Sequence, residues 1–361
     1  MTHQTSVSVL FTGYAPVHFL CFQPLYERLV QLPGVEVFVS GGRRTKTDAG
    51  YGYDSEHMYA PFGIPEHRRL TVDDIQHRQF DVLFSANKRI ITPPEHIGTH
   101  IQIFHGVSFR NRAVRPENLA YDVLFLIGPY MRQKFIGTGL LAEGDPRAVN
   151  VGFPKTDALL TGAFKHHELL ARYGCDGTRP ILLYAPTGEP HNSLETMGKE
   201  VLHALAKTGR YDLLIKPHDH PANAAINWFD ELAGVEGPRT RVVRDLDVIP
   251  LLALADLLIT DASSVANEFA LLNRPIVYLD VPELIQASVN KGACVDLETW
   301  GRRAGVVVKA PEDVPQAVAS SLAAPGHLAE MRAAIARNLF YNPGCATDAA
   351  IAWFVNRFLN P

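Results

Sequence analysis

Cysteine is scarce and scattered. Cys21, Cys175, Cys294 and Cys345 are the only four in 361 residues, and no two form a CxxC pair. That argues against a zinc cluster or a disulfide framework and fits a reducing compartment. Long apolar runs are also missing: a membrane span needs roughly 20 such residues, and the richest stretch, Val248–Thr260, is broken by Pro250 and Asp256. The opening MTHQTSVSVLF lacks a basic leader and has only a short apolar run, so it does not read as a signal peptide. A cytoplasmic protein is expected, with a peripheral contact at the inner face of the cell membrane left open. Positive charge is not in excess either. Lys plus Arg number 34 against 38 Asp plus Glu, a net charge of −4, so there is no basic field of the kind that marks a nucleic-acid binder. An anionic ligand must then be held by a local site.

Two further absences narrow the chemistry. Gly41-Gly42 does not match GxGxxG and follows the second apolar run rather than the first, which disfavours a dinucleotide-dependent dehydrogenase. His166-His167 and Glu66-His67 lack partners at metal-ligand spacing, and in Asp245-Leu246-Asp247 the second aspartate more simply caps a helix starting near Val248. No metal is assigned.

What the chain does have is short, continuously apolar runs alternating with helix-period segments. Ser6–Thr12, Val35–Ser40, Val82–Ser85 and Ile101–Phe104 read as strands of a first half. Ile181–Ala185, Leu213–Lys216, Arg241–Val243, Leu257–Thr260 and Ile276–Leu279 read as strands of a second. Val17–Leu32, Leu194–Thr208 and Val265–Leu272 carry helical periodicity between them. Apolar strands without alternation belong to parallel sheets covered on both faces. The fold class expected is α/β, with two Rossmann-like doubly wound parallel-sheet domains facing a cleft. The first spans about 1–160 and the second about 165–335. An amphipathic C-terminal stretch, 336–361 with Thr347–Leu359 at its heart, packs back on the first domain.

Ligands of such sheets bind beyond the carboxyl ends of the strands, and the unusual polar residues fall there. His105-Gly106 follows the run Ile101–Phe104, and Ala185-Pro186-Thr187-Gly188 follows Ile181–Tyr184. Lys216-Pro217-His218 follows Leu213–Ile215, and Asp261-Ala262-Ser263-Ser264 follows Leu257–Thr260. Ser263 and Ser264 open a helix, where unpaired N–H groups suit a phosphate, although a serine there also serves as a plain cap. Glu268, one turn on, can accept from ribose hydroxyls or complement the helix dipole. His105 and His218 are candidates for proton transfer or phosphate contact. Gly106 lets a substrate approach the backbone beside His105, and Arg110 and Lys216 supply positive charge for a pyrophosphate.

At these residues the chain resembles the CDP-glycerol glycerophosphotransferase family, teichoic-acid and capsule polymerase-like enzymes of GT-B fold. The resemblance runs from about Phe104 to Phe354. It is carried by His105-Gly106, Val151–Asp157 (VGFPKTD), Leu183–Thr187 (LYAPT), Lys216-Pro217-His218, Leu254–Asp280 and Tyr341-Asn342-Pro343-Gly344. It implies His105 as the general base on the acceptor hydroxyl and His218 as a contact to the donor phosphates that helps CMP leave. Ser263 and Ser264 hold those phosphates, Glu268 lies near the ribose, and Lys216, Thr187, Asp261, Arg110 and Gly106 complete the donor site. Arg110 takes a position where the family often has lysine. Other departures are Val107-Ser108 for Thr-Pro, Gly188-Glu189 for Trp-Arg and Ala262 for an aromatic residue. Lys-Pro-His-Pro is stretched to Lys216-Pro217-His218-Asp219-His220-Pro221.

The activity implied is transfer of glycerol phosphate, or a related polyol phosphate, from a CDP-activated donor to a hydroxyl of a cell-surface polymer or its lipid-linked precursor, with release of CMP. The donor is a substrate and no cofactor is implied. A UDP-sugar glycosyltransferase or a UDP-GlcNAc 2-epimerase-like enzyme would use the same serines and Glu268. A non-catalytic nucleotide-binding module of the same architecture is the third possibility, supported by the anion at Glu189 and the small Ala262.

Overall fold

In the computed structural model, residues 6–47, 50–87, 90–218, 227–293, 295–296 and 302–360 are described. Met1–Thr5, Asp219, His220, Pro221 and Cys294 lie outside them. The chain divides into two compact units. One comprises Met1–Gly106, Ala113–Asp157 and Leu339–Pro361; the other comprises Val107–Arg112 and Ala158–Asn338.

The first unit is built on a six-stranded parallel sheet. Its strands are β1 (Val7–Gly13), β2 (Val35–Gly41), β5 (Phe80–Ser85), β6 (Ile97–Gln102), β7 (Val123–Leu126) and β8 (Ala148–Asn150), with β3 (Arg43–Thr47) and β4 (Gly50–Asp54) forming a separate antiparallel hairpin. The order is β2-β1-β5-β6-β7-β8. Continuous burial of the central strands explains their unalternating apolar sequence: Val9, Leu10, Phe11, Val82 and Leu83 are all inaccessible. Phe11 stacks on Phe22 of the helix Pro16–Leu29 and on Phe84 of β5, with ring centroids 4.8 and 4.9 Å apart.

The second unit repeats the plan. Its strands are β9 (Ile181–Tyr184), β10 (Asp212–Ile215), β11 (Thr240–Val242), β12 (Leu257–Thr260), β13 (Ile276–Leu279) and β14 (Val306–Val308), in the order β11-β10-β9-β12-β13-β14. All paired neighbours are parallel. Strand order therefore reverses between β9 and β12 here, and between β1 and β5 in the first sheet. These are the topological switch points where open α/β sheets take ligands.

The expected strands are present, with two corrections near the candidate site. The strand read as Ile101–Phe104 begins earlier and ends at Gln102, so His105 does not directly follow it. Phe104 adopts a left-handed backbone (φ 58°), held because its N–H donates to the Gln102 side chain at 2.9 Å. The helical stretch Leu194–Thr208 opens with a wide π turn, Leu194–Gly198, before the regular helix Lys199–Thr208. The strands β7, β8 and β14, three or four residues long, were not among those read from the sequence.

Candidate active site

In the second unit, one carboxylate ties the segment that follows β9 to the end of β12. Asp261, fully buried, accepts from the Thr187 N–H through Oδ1 at 2.9 Å. Through Oδ2 it accepts from both the N–H and the hydroxyl of Ser193, each at 2.9 Å. The loop after β9 is thus closed onto the end of β12. Both oxygens of Asp261 are committed to the loop, which makes it the residue that positions Thr187 rather than a group that grips a ligand itself.

Thr187 in turn meets Arg110, whose Nη2 lies 3.4 Å from its hydroxyl. Arg110 is only 8% exposed. Among the described residues its Nε and Nη1 find no partner. Burial pulls its pKa below the ordinary arginine value, opposed by the carboxylates of Glu189 and Asp261 and reinforced by the Arg112 charge. A buried cation with unused donors is costly unless an anion joins it. Lys216, buried at the end of β10, flanks the same loop through its own N–H, which donates to the Tyr184 carbonyl at 2.9 Å. His218 is exposed, and its ring lies over Gly188, where a Cβ would fall 2.7 Å from the ring. The lack of a side chain at Gly188 is therefore what lets the imidazole lie there.

The segment Val107–Arg112 belongs wholly to this unit although it comes from the first half of the sequence. Asn267 donates to the Val107 carbonyl at 2.7 Å, and the Asp296 N–H donates to the Phe109 carbonyl at 2.7 Å. Phe109 packs with Ala262, Val281 and Leu284. Ala262 and Phe109 are thus members of one buried apolar cluster. Glu189, the anion beside the expected phosphates, is ion-paired to Arg112 and lies 4.0 Å from Lys291. Burial alone would raise its pKa, but Arg112, Arg110 and Lys291 outweigh burial and hold it below the ordinary value. Glu189 is thus balanced by cations around it.

Ser263 and Ser264 precede the short helix Val265–Ala270. Ser264 makes no side-chain cap, and the Val265 N–H reaches only the Ser263 hydroxyl at 3.4 Å, so capping takes little of either hydroxyl. Glu268 is buried in the same helix. Asp247 behaves as read from sequence, accepting the Ile249 N–H at 3.0 Å.

His105 and Gly106 belong to the first unit. His105 is exposed, and its Nδ1 lies 2.6 Å from the Ala86 carbonyl. A carbonyl cannot donate, so Nδ1 carries the proton and the Nε2 lone pair is the basic one. The Ala86-Asn87 segment is held rigid: the Asn87 carbonyl accepts from Gln102 at 2.9 Å, from Tyr121 at 2.5 Å and from Ser85 at 3.2 Å. Gly106 has φ 140°, a backbone that favours glycine. Sequence reading missed this support and also Ser193, Asn267 and Phe109, because nothing local marks a serine, an asparagine or a phenylalanine as a tie between distant segments.

The motif VGFPKTD is structural. A Cβ at Gly152 would lie 2.2 Å from the Tyr341 carbonyl, and Asp157 accepts from the Ala346 and Thr347 N–H groups at 3.0 and 2.7 Å. The aspartate thereby caps the helix Ala346–Phe354.

Comparisons agree with the resemblance read from the sequence. A teichoic acid glycerol-phosphate primase of Bacillus spizizenii is 32% identical over 168 residues, a match covering 45% of this chain and 38% of that protein. The wall teichoic acid polymerase TagF has a similar structure, with TM-score 0.70 at 16% identity over 98% of this chain and 89% of that one. A UDP-N-acetylglucosamine 2-epimerase from Listeria monocytogenes, described as putative, gives 0.64 at 13% identity over 99% and 97%. At such identities the structural likenesses establish the fold, that of GT-B enzymes. Residues 92–346 match the CDP-Glycerol:Poly(glycerophosphate) glycerophosphotransferase family, and this protein belongs to it.

Proposed function

We propose that this chain transfers glycerol phosphate, or a closely related polyol phosphate, from a CDP-activated donor to a hydroxyl of a cell-surface polymer or its lipid-linked precursor. The observation that carries the reading is Arg110, a buried guanidinium with two nitrogens unpaired among the described residues, beside Thr187 in a chain of this family. Such a group is suited to a diphosphate, whose oxygens would satisfy it.

In this reading the acceptor oxygen attacks the phosphorus that bears the glycerol. The new O–P bond forms as the bond to the bridging oxygen breaks, and CMP leaves with that electron pair. The hydroxyl proton passes to Nε2 of His105. Arg110, Lys216, His218 and the hydroxyls of Thr187, Ser263 and Ser264 stabilise the phosphates, while Glu268 lies toward the ribose. Phosphoryl transfer depends mainly on such positioning and charge stabilisation. The donor is a substrate, the acceptor is met at the inner face of the cell membrane, and the protein works from the cytoplasm. No helix among the described residues is long and apolar enough to cross a membrane.

Release of CMP from CDP-glycerol in the presence of a glycerophosphate-primed lipid acceptor tests this directly. Arg110→Met should lower kcat/KM for the donor by about 10²-fold, with Arg110→Lys recovering part of the loss. Absence of CMP release with every hydroxyl acceptor, together with thermal stabilisation by UDP and not by CDP, would overturn it in favour of a UDP-sugar enzyme.

A further inference from the structure

The switch point of the first sheet carries a second imidazole beside His105. His18 lies in the first turn of the helix Pro16–Leu29, just after β1, while Ala86 follows β5. The His18 ring centroid is 5.2 Å from that of His105, with the planes at 57°. His18 is 3% exposed, and three features lock it. The Tyr14 N–H donates to its Nδ1 at 3.2 Å. The Tyr14 ring meets it edge-on at 4.5 Å. Gly13 gives it room, since a Cβ there would lie 2.8 Å from the His18 Cβ.

Because Nδ1 of His18 accepts, the neutral ring carries its proton on Nε2, and a proton on Nδ1 would oppose the Tyr14 N–H. His105 has the reverse arrangement, donating from Nδ1 to Ala86. Two imidazoles of opposite tautomer are therefore packed together, the inner one buried and the outer one exposed. We infer that His18 is a positioning residue for His105: its neutral ring fixes the orientation of the base and places no positive charge against it. This deepens the proposed function and rests on it, since it takes His105 as the base.

The test uses two substitutions in the full chain. His18→Asn keeps an oxygen to accept the Tyr14 N–H but removes the ring; His18→Phe keeps a neutral ring but removes the acceptor. The expected result is kcat lowered at least about 10-fold in His18→Asn with the KM for CDP-glycerol unchanged, and kcat within about threefold of wild type in His18→Phe; a general base contributes about 10²–10⁴-fold in all. Nitrogen-15 spectra of the imidazoles should show His105 protonated at Nδ1 and His18 at Nε2 in the wild type, and a mixture of His105 tautomers in His18→Asn. Wild-type kcat with an unchanged His105 spectrum in His18→Asn would overturn the inference, as would an equal loss in His18→Phe. Should either variant fail to fold, the wild-type spectrum decides, because a charged or Nδ1-protonated His18 excludes the role. If no acceptor supports CMP release, the functional reading fails, but the tautomers still decide whether His18 orders His105.

Discussion

Single residues carry the departures from the family pattern, and Gly188 and Glu189 each have a local physical answer. Gly188 makes room for the His218 ring. Glu189 is the most informative, because an anion beside expected phosphates would weaken a donor site if left uncompensated. Its pairing with Arg112 holds its carboxyl below the ordinary glutamate value despite burial. A lowered carboxylate pKa in the folded state contributes stability above the unfolded value, and that contribution is lost as pH falls through the folded one. Thermal melts across the acid range should therefore show part of the acid-side decline disappear in Glu189→Gln. At neutral pH that variant should lose no more than about 1 kcal/mol, since Arg112 is half exposed. An unchanged acid limb would mean that the pair adds nothing to folding. Arg110 was legible as a cation near the site, but its burial and unused donors were not, because burial of an arginine depends on what covers it.

At the scale of elements, the loop between β9 and the π turn is the part on which the site depends. Asp261, at the end of β12, receives three hydrogen bonds from it. Asp261→Asn would turn one acceptor into a donor facing the Ser193 N–H and hydroxyl. Leaving a buried polar group unsatisfied costs about 1–3 kcal/mol. The variant should melt several degrees lower and bind CDP-glycerol more weakly, because Thr187 and through it Arg110 lose their anchor. A variant with wild-type stability and donor affinity would show that the loop is held by other means. Strand ends were legible here from the apolar runs alone. What the sequence concealed was β7, β8 and β14, and the two-residue offset between β6 and His105. That offset depends on a hydrogen bond from the Phe104 N–H to the Gln102 side chain rather than on propensity.

For the whole molecule, the chain's order along the sequence differs from its order in space. The first unit is completed by Leu339–Pro361, and the second draws Val107–Arg112 from the first half. Closure of the first unit depends on Asp157, whose carboxylate receives two N–H groups of the helix Ala346–Phe354, and on the packing of Phe354 and Trp353 against Phe84 and Phe125. Burial pushes the Asp157 pKa up, while the hydrogen bonds from Thr347 and Ala346 oppose the rise. Loss of such a cap typically costs about 0.5–2 kcal/mol. Asp157→Ala should accordingly lower the denaturant midpoint and raise hydrogen exchange first in residues 346–354. Exchange that rises uniformly instead would show that the terminal helix does not open separately.

The sequence by itself determined the two parallel sheets and the family. Continuous apolar runs report strands buried on both faces, and motifs at strand ends persist whatever surrounds them. It also put Thr187, Lys216, His218 and Ser263 beyond strand ends, and His105 nearer its strand than it lies. Only the tertiary structure decided which of these groups share a unit, that Arg110 is buried with donors unused, that Asp261 braces a loop, and that His18 lies against His105. Those facts depend on strand order and on contacts between segments far apart in the chain, and no local pattern of residues encodes which distant segment will be the neighbour.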